Sequence, residues 1–297
     1  MNLFNKLYLF FLSEQAKKQI EKSILYVALV GFFIHLIFIF LSKFGIINFL
    51  SESELLTNPI SAIYTPFSFI LIYEVYLLIY YLPKSFTTYI TKQYEIITLI
   101  IIRKLFKDLS GLELTSDWFD IKGDLQFTYD ILASIILFYL IYLFQKQEMR
   151  KTEPKGSAKL KIERFILRKK IIALVLVPIF FTMALITLFN WMSEISLASS
   201  NFPEFETINN LFFDEFFTVL ILVDVVLLLI SFFYTDKFHK IIRNSGFIVS
   251  TILIRLSFGV SGLISTILIV LAVLFGLGII LIHNKYENHE LPNNAEV

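Results

Sequence analysis

The sequence predicts an all-α, polytopic transmembrane protein of about eight helices, arranged as two four-helix units of parallel orientation. Three observations carry that prediction. The 297-residue chain is 57% hydrophobic, where a soluble domain is typically ~45–50% apolar, and its mean hydropathy is +0.73. Long apolar stretches recur along its whole length, and its Lys and Arg residues gather in alternate connections. A helix needs about 20 apolar residues to cross a bilayer. Stretches that meet this run over 24–46, 60–82, 89–109, 127–145, 170–192, 212–234, 241–258 and 262–283, the third and seventh being the most polar. Pro59 and Pro203 precede the second and sixth spans, and Pro83 closes the second, since its ring cannot continue a helix.

The basic residues set the orientation, because Lys and Arg accumulate on the cytoplasmic side. The stretch QKQEMRKTEPKGSAKLKIERFILRKK between the fourth and fifth spans is densely basic, and Lys6, Lys17, Lys18 and Lys22 lie near the N-terminus. The loops SESELLTNP and SEISLASSNFPEFETINN carry acids and neither Lys nor Arg. Both termini and the central linker are therefore expected in the cytoplasm. The resulting organisation is a cytoplasmic or interfacial segment (1–22), a first membrane unit (23–146), a basic linker (147–169), a second membrane unit (170–284) and a cytoplasmic tail (285–297). MNLFNKLYLFFL at the start reads either as an interfacial amphipathic helix or as a short leader into the first span. No small-residue cleavage site follows it, so no cleavable signal peptide is expected.

The two units look like copies. FSFILIYEVYLLIYYLPKSFTTYITKQYEIITLIIIRKLF aligns with FTVLILVDVVLLLISFFYTDKFHKIIRNSGFIVSTILIRLSF. Each block carries a carboxylate eight residues in, Glu74 and Asp224, and each ends in Ile-Arg, at Arg103 and Arg255. An even number of spans per unit gives both the same orientation, which predicts a pseudo-twofold axis along the membrane normal. A charge near the bilayer centre costs roughly 2.5–3.5 kcal/mol on insertion scales. Opposite charges on neighbouring helices should therefore face inward and pair, and the expectation is an intramembrane pair in each unit, Glu74 with Arg103 and Asp224 with Arg255. The same residues read without a substrate are a device that fixes helix register. Asp130, Asp214 and Glu215 enter their spans near the outer ends and read as interfacial. His35 reads as a packed or hydrogen-bonded histidine, and His35, His239, His283 and His289 are scattered along the chain.

The first block, with YEVYLLIYYL, a short turn and YEIITLIIIRKLFKDL, resembles the phosphate-starvation-inducible PsiE family of small four-helix bacterial inner-membrane proteins. The resemblance covers about residues 20–146. It rests on Glu74, on Arg103 late in the third span and on Asp108 five residues further on. The second unit departs from the pattern, with Asp224 for the glutamate and Val260 and Ser261 where the later acid belongs. The connection SGLELTSDWFDIKGDLQ is also longer than the family's. The resemblance implies a bacterial inner-membrane location and a link to stress, and supplies no biochemical activity.

The chain has no cysteine, which excludes disulfides and thiolate chemistry. It holds no Walker loop, HExxH, GxSxG or clustered histidine ligands, so no cofactor, metal or catalytic residue is expected. A net charge of +1 gives no footprint for nucleic acid. The expected partners are the bilayer, anionic lipid at the basic linker, and a second copy or another membrane protein at the small-residue stretches SGFIVST, GVSGLIST and FGLG. The first functional reading is a non-enzymatic, tandem PsiE-like membrane component that is stress-related or partner-binding. The alternative is a proton or small-ion transporter or channel gated by the two charge pairs. A conducting bundle needs polar groups at several depths, and the sequence shows few.

Overall fold

A polar side chain in hydrocarbon is tolerated only where other protein groups meet it, and that requirement organises the helices of this chain. The computed structural model describes residues 3–45, 59–110, 122–148, 157–197, 205–235, 237–260 and 262–293. Their regular structure is entirely helical: α1 (Leu3–Leu12), α2 (Glu14–Lys43), a 3-10 turn (Pro59–Ile63), α3 (Tyr64–Tyr81), α4 (Phe86–Ser110), α5 (Lys122–Glu148), α6 (Ser157–Leu197), α7 (Phe205–Phe232), α8 (Phe238–Phe258) and α9 (Leu263–Asn293). Each expected span lies largely on one helix, α2 to α9 in order.

Among the described residues six helical stretches are long and apolar enough to cross a membrane: 4–43, 125–148, 162–186, 215–232, 238–258 and 263–289. The chain is a membrane-spanning protein. The apolar part of α3 is shorter, over Thr65–Tyr81. α4, expected as the third span, is not among the six. Its first half carries Thr88, Thr91, Gln93 and Glu95, which bond to α5 or α7, and Lys92, which pairs with Glu95 of the same helix. The basic stretch read as linker to residue 169 is helical from Ser157, because Ala, Lys, Leu, Ile, Glu and Arg all sustain a helix and no breaker intervenes. Pro203 lies outside the described residues. The chain turns after Tyr81 as Pro83 requires, with the Lys84 amide donating to the Tyr81 carbonyl at 2.9 Å.

Two compact units sort the chain, each drawing on both halves of the sequence. One comprises 1–80, 99–127 and 174–216. Here Ser13 separates α1 from α2: its extended backbone (φ −83°, ψ 161°) breaks the helix and its hydroxyl accepts from the Ala16 amide at 3.1 Å, an ordinary N-cap. Three tyrosines on one face of α3 hold this end. The Tyr73 hydroxyl donates to Glu21 at 2.8 Å, Tyr76 to the Phe11 carbonyl at 2.8 Å and Tyr80 to Glu14 at 2.5 Å. His35 Nδ1 meets Thr65 Oγ1 at 2.5 Å, so it is the hydrogen-bonded histidine expected.

The other unit comprises 81–98, 128–173 and 217–297. Tyr94 on α4 packs edge-on against Phe144 of α5, with centroids 5.2 Å apart, and Phe144 lies 5.5 Å from Phe247 of α8. The Tyr94 hydroxyl shares a 2.7 Å hydrogen bond with Ser250, and Ser250 donates to the Ala272 carbonyl at 2.6 Å. Gly276 of α9 makes this approach feasible: a Cβ there would stand 1.9 Å from the Tyr94 oxygen, whereas a Cβ at Gly278 meets nothing within 4 Å. Gly276→Ala should therefore force Tyr94 off Ser250, and overpacking of this kind costs about 1–3 kcal/mol. Thermal unfolding in detergent should show Gly276→Ala melting several degrees low. Gly278→Ala should melt unchanged or slightly high, since alanine favours the helix. Equal melting of the two variants would refute the close contact.

Candidate functional site: buried charge around Asp224

α4, α6 and α7 together place two opposite charges in an apolar interior. Asp224 of α7 and Lys169 of α6 are each only 1% exposed. Gln93 of α4 donates from Nε2 to Asp224 Oδ2 at 3.1 Å. The fully buried Tyr89 hydroxyl lies beside the same carboxylate, without a hydrogen bond of ordinary geometry. Asp224 Oδ1 likewise has no hydrogen-bond partner among the described residues. The Lys169 ammonium is the cation whose field reaches Asp224. It donates to the Lys84 carbonyl at 2.6 Å and is surrounded by rings, with Phe86 at 4.9 Å, Phe165 at 5.5 Å and Tyr89 at 6.0 Å from its nitrogen. Aromatic faces attract a desolvated cation, which offsets part of the cost of burying the lysine.

The arginine expected opposite Asp224 is elsewhere. Arg255 sits in the last turn of α8, and its charge favours the helix C-terminus. The helix bounds explain the difference. At 1.5 Å per residue, Asp224 lies about 12 Å from the end of α7 and Arg255 about 25 Å from the start of α8. The depth mismatch across this hairpin is about 13 Å, too much for direct contact, and Lys169, Gln93 and Tyr89 take the place assigned to Arg255. Glu74, 5% exposed, does feel the positive charge of Arg103. Its span ends at Tyr81 and α4 begins at Phe86, so a similar mismatch leaves this an interaction at a distance. Asp108 lies in α4, outside the residues whose side chains are described, as does the Asp214 side chain in α7. Glu215 is exposed. Asp130, expected at the interface, is 3% exposed and accepts a 2.7 Å hydrogen bond from the Thr266 hydroxyl.

Polar groups continue through the same unit. Thr91 donates to Glu148 Oε2 at 2.9 Å and Gln145 to Glu95 Oε1 at 2.7 Å. Two of the histidines scattered in sequence come together: the rings of His239 and His283 are 5.0 Å apart. Arg243 Nη1 lies 3.0 Å from His283 Nε2, an arrangement in which a neutral imidazole accepts from the guanidinium. The same guanidinium donates to Asn244 Oδ1 from Nε at 3.2 Å and from Nη2 at 3.0 Å. No group of three or more His, Cys, Asp or Glu suited to a metal occurs among the described residues.

Lys169 was hidden in the basic stretch, yet its spacing gives it away. Lys169, Ala173, Leu176 and Phe180 are all buried and recur every three or four residues, the mark of one helix face. Tyr89, Gln93 and Ile97 form the equivalent stripe on α4.

No family model, curated protein or solved structure matches the chain.

Removing one member of a buried charge pair strands the other, at a cost of roughly 3–5 kcal/mol. Asp224→Leu and Lys169→Met should each unfold early in denaturant, while the double variant recovers much of the loss. Asp224→Leu/Arg255→Gln should show no such recovery. Additivity of the Asp224 and Lys169 effects within ~0.5 kcal/mol would refute the coupling.

Proposed function

We propose that the chain is a non-enzymatic, multi-pass protein of the bacterial cytoplasmic membrane, with both termini inside, that passes protons through the helices around Asp224. One observation carries this reading: the fully buried Asp224 carboxylate keeps one oxygen, Oδ1, outside any regular hydrogen bond, with the Tyr89 hydroxyl beside it. Ionisable groups at membrane depth mark ion and proton routes by default, and a buried polar atom without a partner calls for an explanation. The Tyr89 hydroxyl can donate to the ionised carboxylate or accept from the protonated one, so the site accommodates Asp224 in either state. A sodium-sized cation fits less well, because the Lys169 ammonium already supplies positive charge there. The polar groups sparse in the sequence pattern recur at several depths once folded, at Thr91, Gln93, Ser250 and Thr266.

A second reading is favoured by the Lys169 contact with the Lys84 carbonyl, which ties α6 to the α3–α4 turn. On that reading the charges fasten a tandem PsiE-like component whose work is to bind a partner or a second copy. The two hairpins α3–α4 and α7–α8 would be the duplicated element, with Glu74 and Arg103 the first copy's counterpart of the Asp224 site.

Purified protein in liposomes separates the two. The proton-path reading expects an imposed pH gradient to decay at least ~10-fold faster than in protein-free vesicles. Asp224→Asn should abolish the excess and Glu74→Gln should leave most of it. A folded wild-type protein that leaves the gradient intact would remove the proton path and leave the fastening role.

A further inference from the structure

We infer that the end of the second unit formed by the start of α6 and the α7–α8 turn is a docking surface for an anionic phospholipid. Two ring contacts hold these segments together: Phe165 of α6 lies 5.4 Å from Tyr234 of the turn, and the Arg168 guanidinium lies 5.3 Å over the same ring. This brings Arg164, Arg168 and Lys237, all exposed, to one end of the unit. Beside them, Phe233 of the turn is 79% exposed and Phe238 69% exposed, the largest values among the described apolar side chains of α6, α7, α8 and the α7–α8 turn. Leu167 and Ile171, at 49% and 46%, continue the apolar surface along α6.

The combination selects the ligand. Exposed phenylalanines at a helix turn are unfavourable in water and fit the acyl-chain boundary of a bilayer. Basic side chains next to them meet a phosphate, and a basic surface between membrane helices on the cytoplasmic side is the arrangement that recognises acidic headgroups. The Lys and Arg distribution in the sequence places this end in the cytoplasm. The three basic side chains outnumber the described acids near them, Glu163 and Glu287. Glu163 is exposed next to Arg164, and Glu287 is engaged with His283 at 3.6 Å and with the charge of Arg243. Asp236 lies outside the described residues. The surface adjoins the Asp224 site through Phe165, which also lines the Lys169 ammonium, but it does not depend on proton movement.

The test uses the full chain purified in neutral detergent and offered equal amounts of phosphatidylglycerol and phosphatidylcholine. Lipid retained through gel filtration is counted by mass spectrometry. Wild-type protein should retain the anionic lipid in excess, and about 0.5 M salt should erase most of the preference. Arg164→Gln/Arg168→Gln/Lys237→Gln should lower it 10-fold or more, while Arg164→Lys/Arg168→Lys/Lys237→Arg keeps it. Equal retention of the two lipids by wild type, or a preference indifferent to salt, would overturn the proposal whether or not the neutralised variant folds. Displacement of the lipid by an equal concentration of glycerol 1-phosphate would overturn it too, because a soluble anion would then suffice without the phenylalanines.

Discussion

Each polar atom that these helices carry into apolar surroundings must find its partner within the protein, because hydrocarbon offers none. The helices satisfy their own backbones, and several buried side chains are met across helices: Tyr94 with Ser250, Thr266 with Asp130, Gln93 with Asp224. Such bonds average ~0.6 kcal/mol each in membrane proteins. Their larger role is to specify which faces meet, since a shifted register would leave several polar groups stranded at once. Gly276 belongs to the same constraint, as the space it leaves lets the Tyr94 hydroxyl reach between α8 and α9.

The order and approximate positions of the helices were legible from hydropathy, because most membrane helices write an apolar run into contiguous sequence, whereas the helical start of α6 in the basic stretch was not. Pro83 and the short turns that follow α3 and α7 were legible for the same reason. The partners of the charges were not. Pairing Asp224 with Arg255 used repeat symmetry and an approximate depth, and a shift of a few residues in the helix bounds moves each charge by several ångströms. Asp130 read as interfacial because it lies close to the end of an apolar run. Distance from a helix end does not say whether a threonine from another helix, here Thr266, waits opposite. His239 and His283 are far apart in sequence and meet because α8 and α9 pack antiparallel, which periodicity within either helix does not encode.

Lys169 shows where the positive-charge rule and the buried-face rule compete. Its neighbours Arg168 and Lys170 made it one more member of a basic stretch that sets topology. The helix phase separates it from them, because Arg168 is exposed while Lys169 shares a face with Ala173 and Leu176. A lysine on that face must keep a carbonyl, an anion or an aromatic ring within reach, and it has all three in Lys84, Asp224 and Phe86.

The charge states of Asp224 and Lys169 therefore depend on each other. Buried ionic groups are held charged by their partners, so a proton taken up by Asp224 withdraws the counter-charge that stabilises the ammonium. The neutral carboxyl would gain a donor able to serve the local oxygens, while the lysine would keep only the Lys84 carbonyl and the surrounding rings. That carbonyl belongs to the turn between α3 and α4, and Gln93, which donates to Asp224, lies nine residues further along α4. Protonation at one buried oxygen thus bears on both ends of the segment from the turn to Gln93. Any buried charge pair is coupled in this way, whether it fastens helices or carries the proposed proton. The proposed proton path would use it, because a proton must change the contacts of the site in order to leave on the side opposite to its entry.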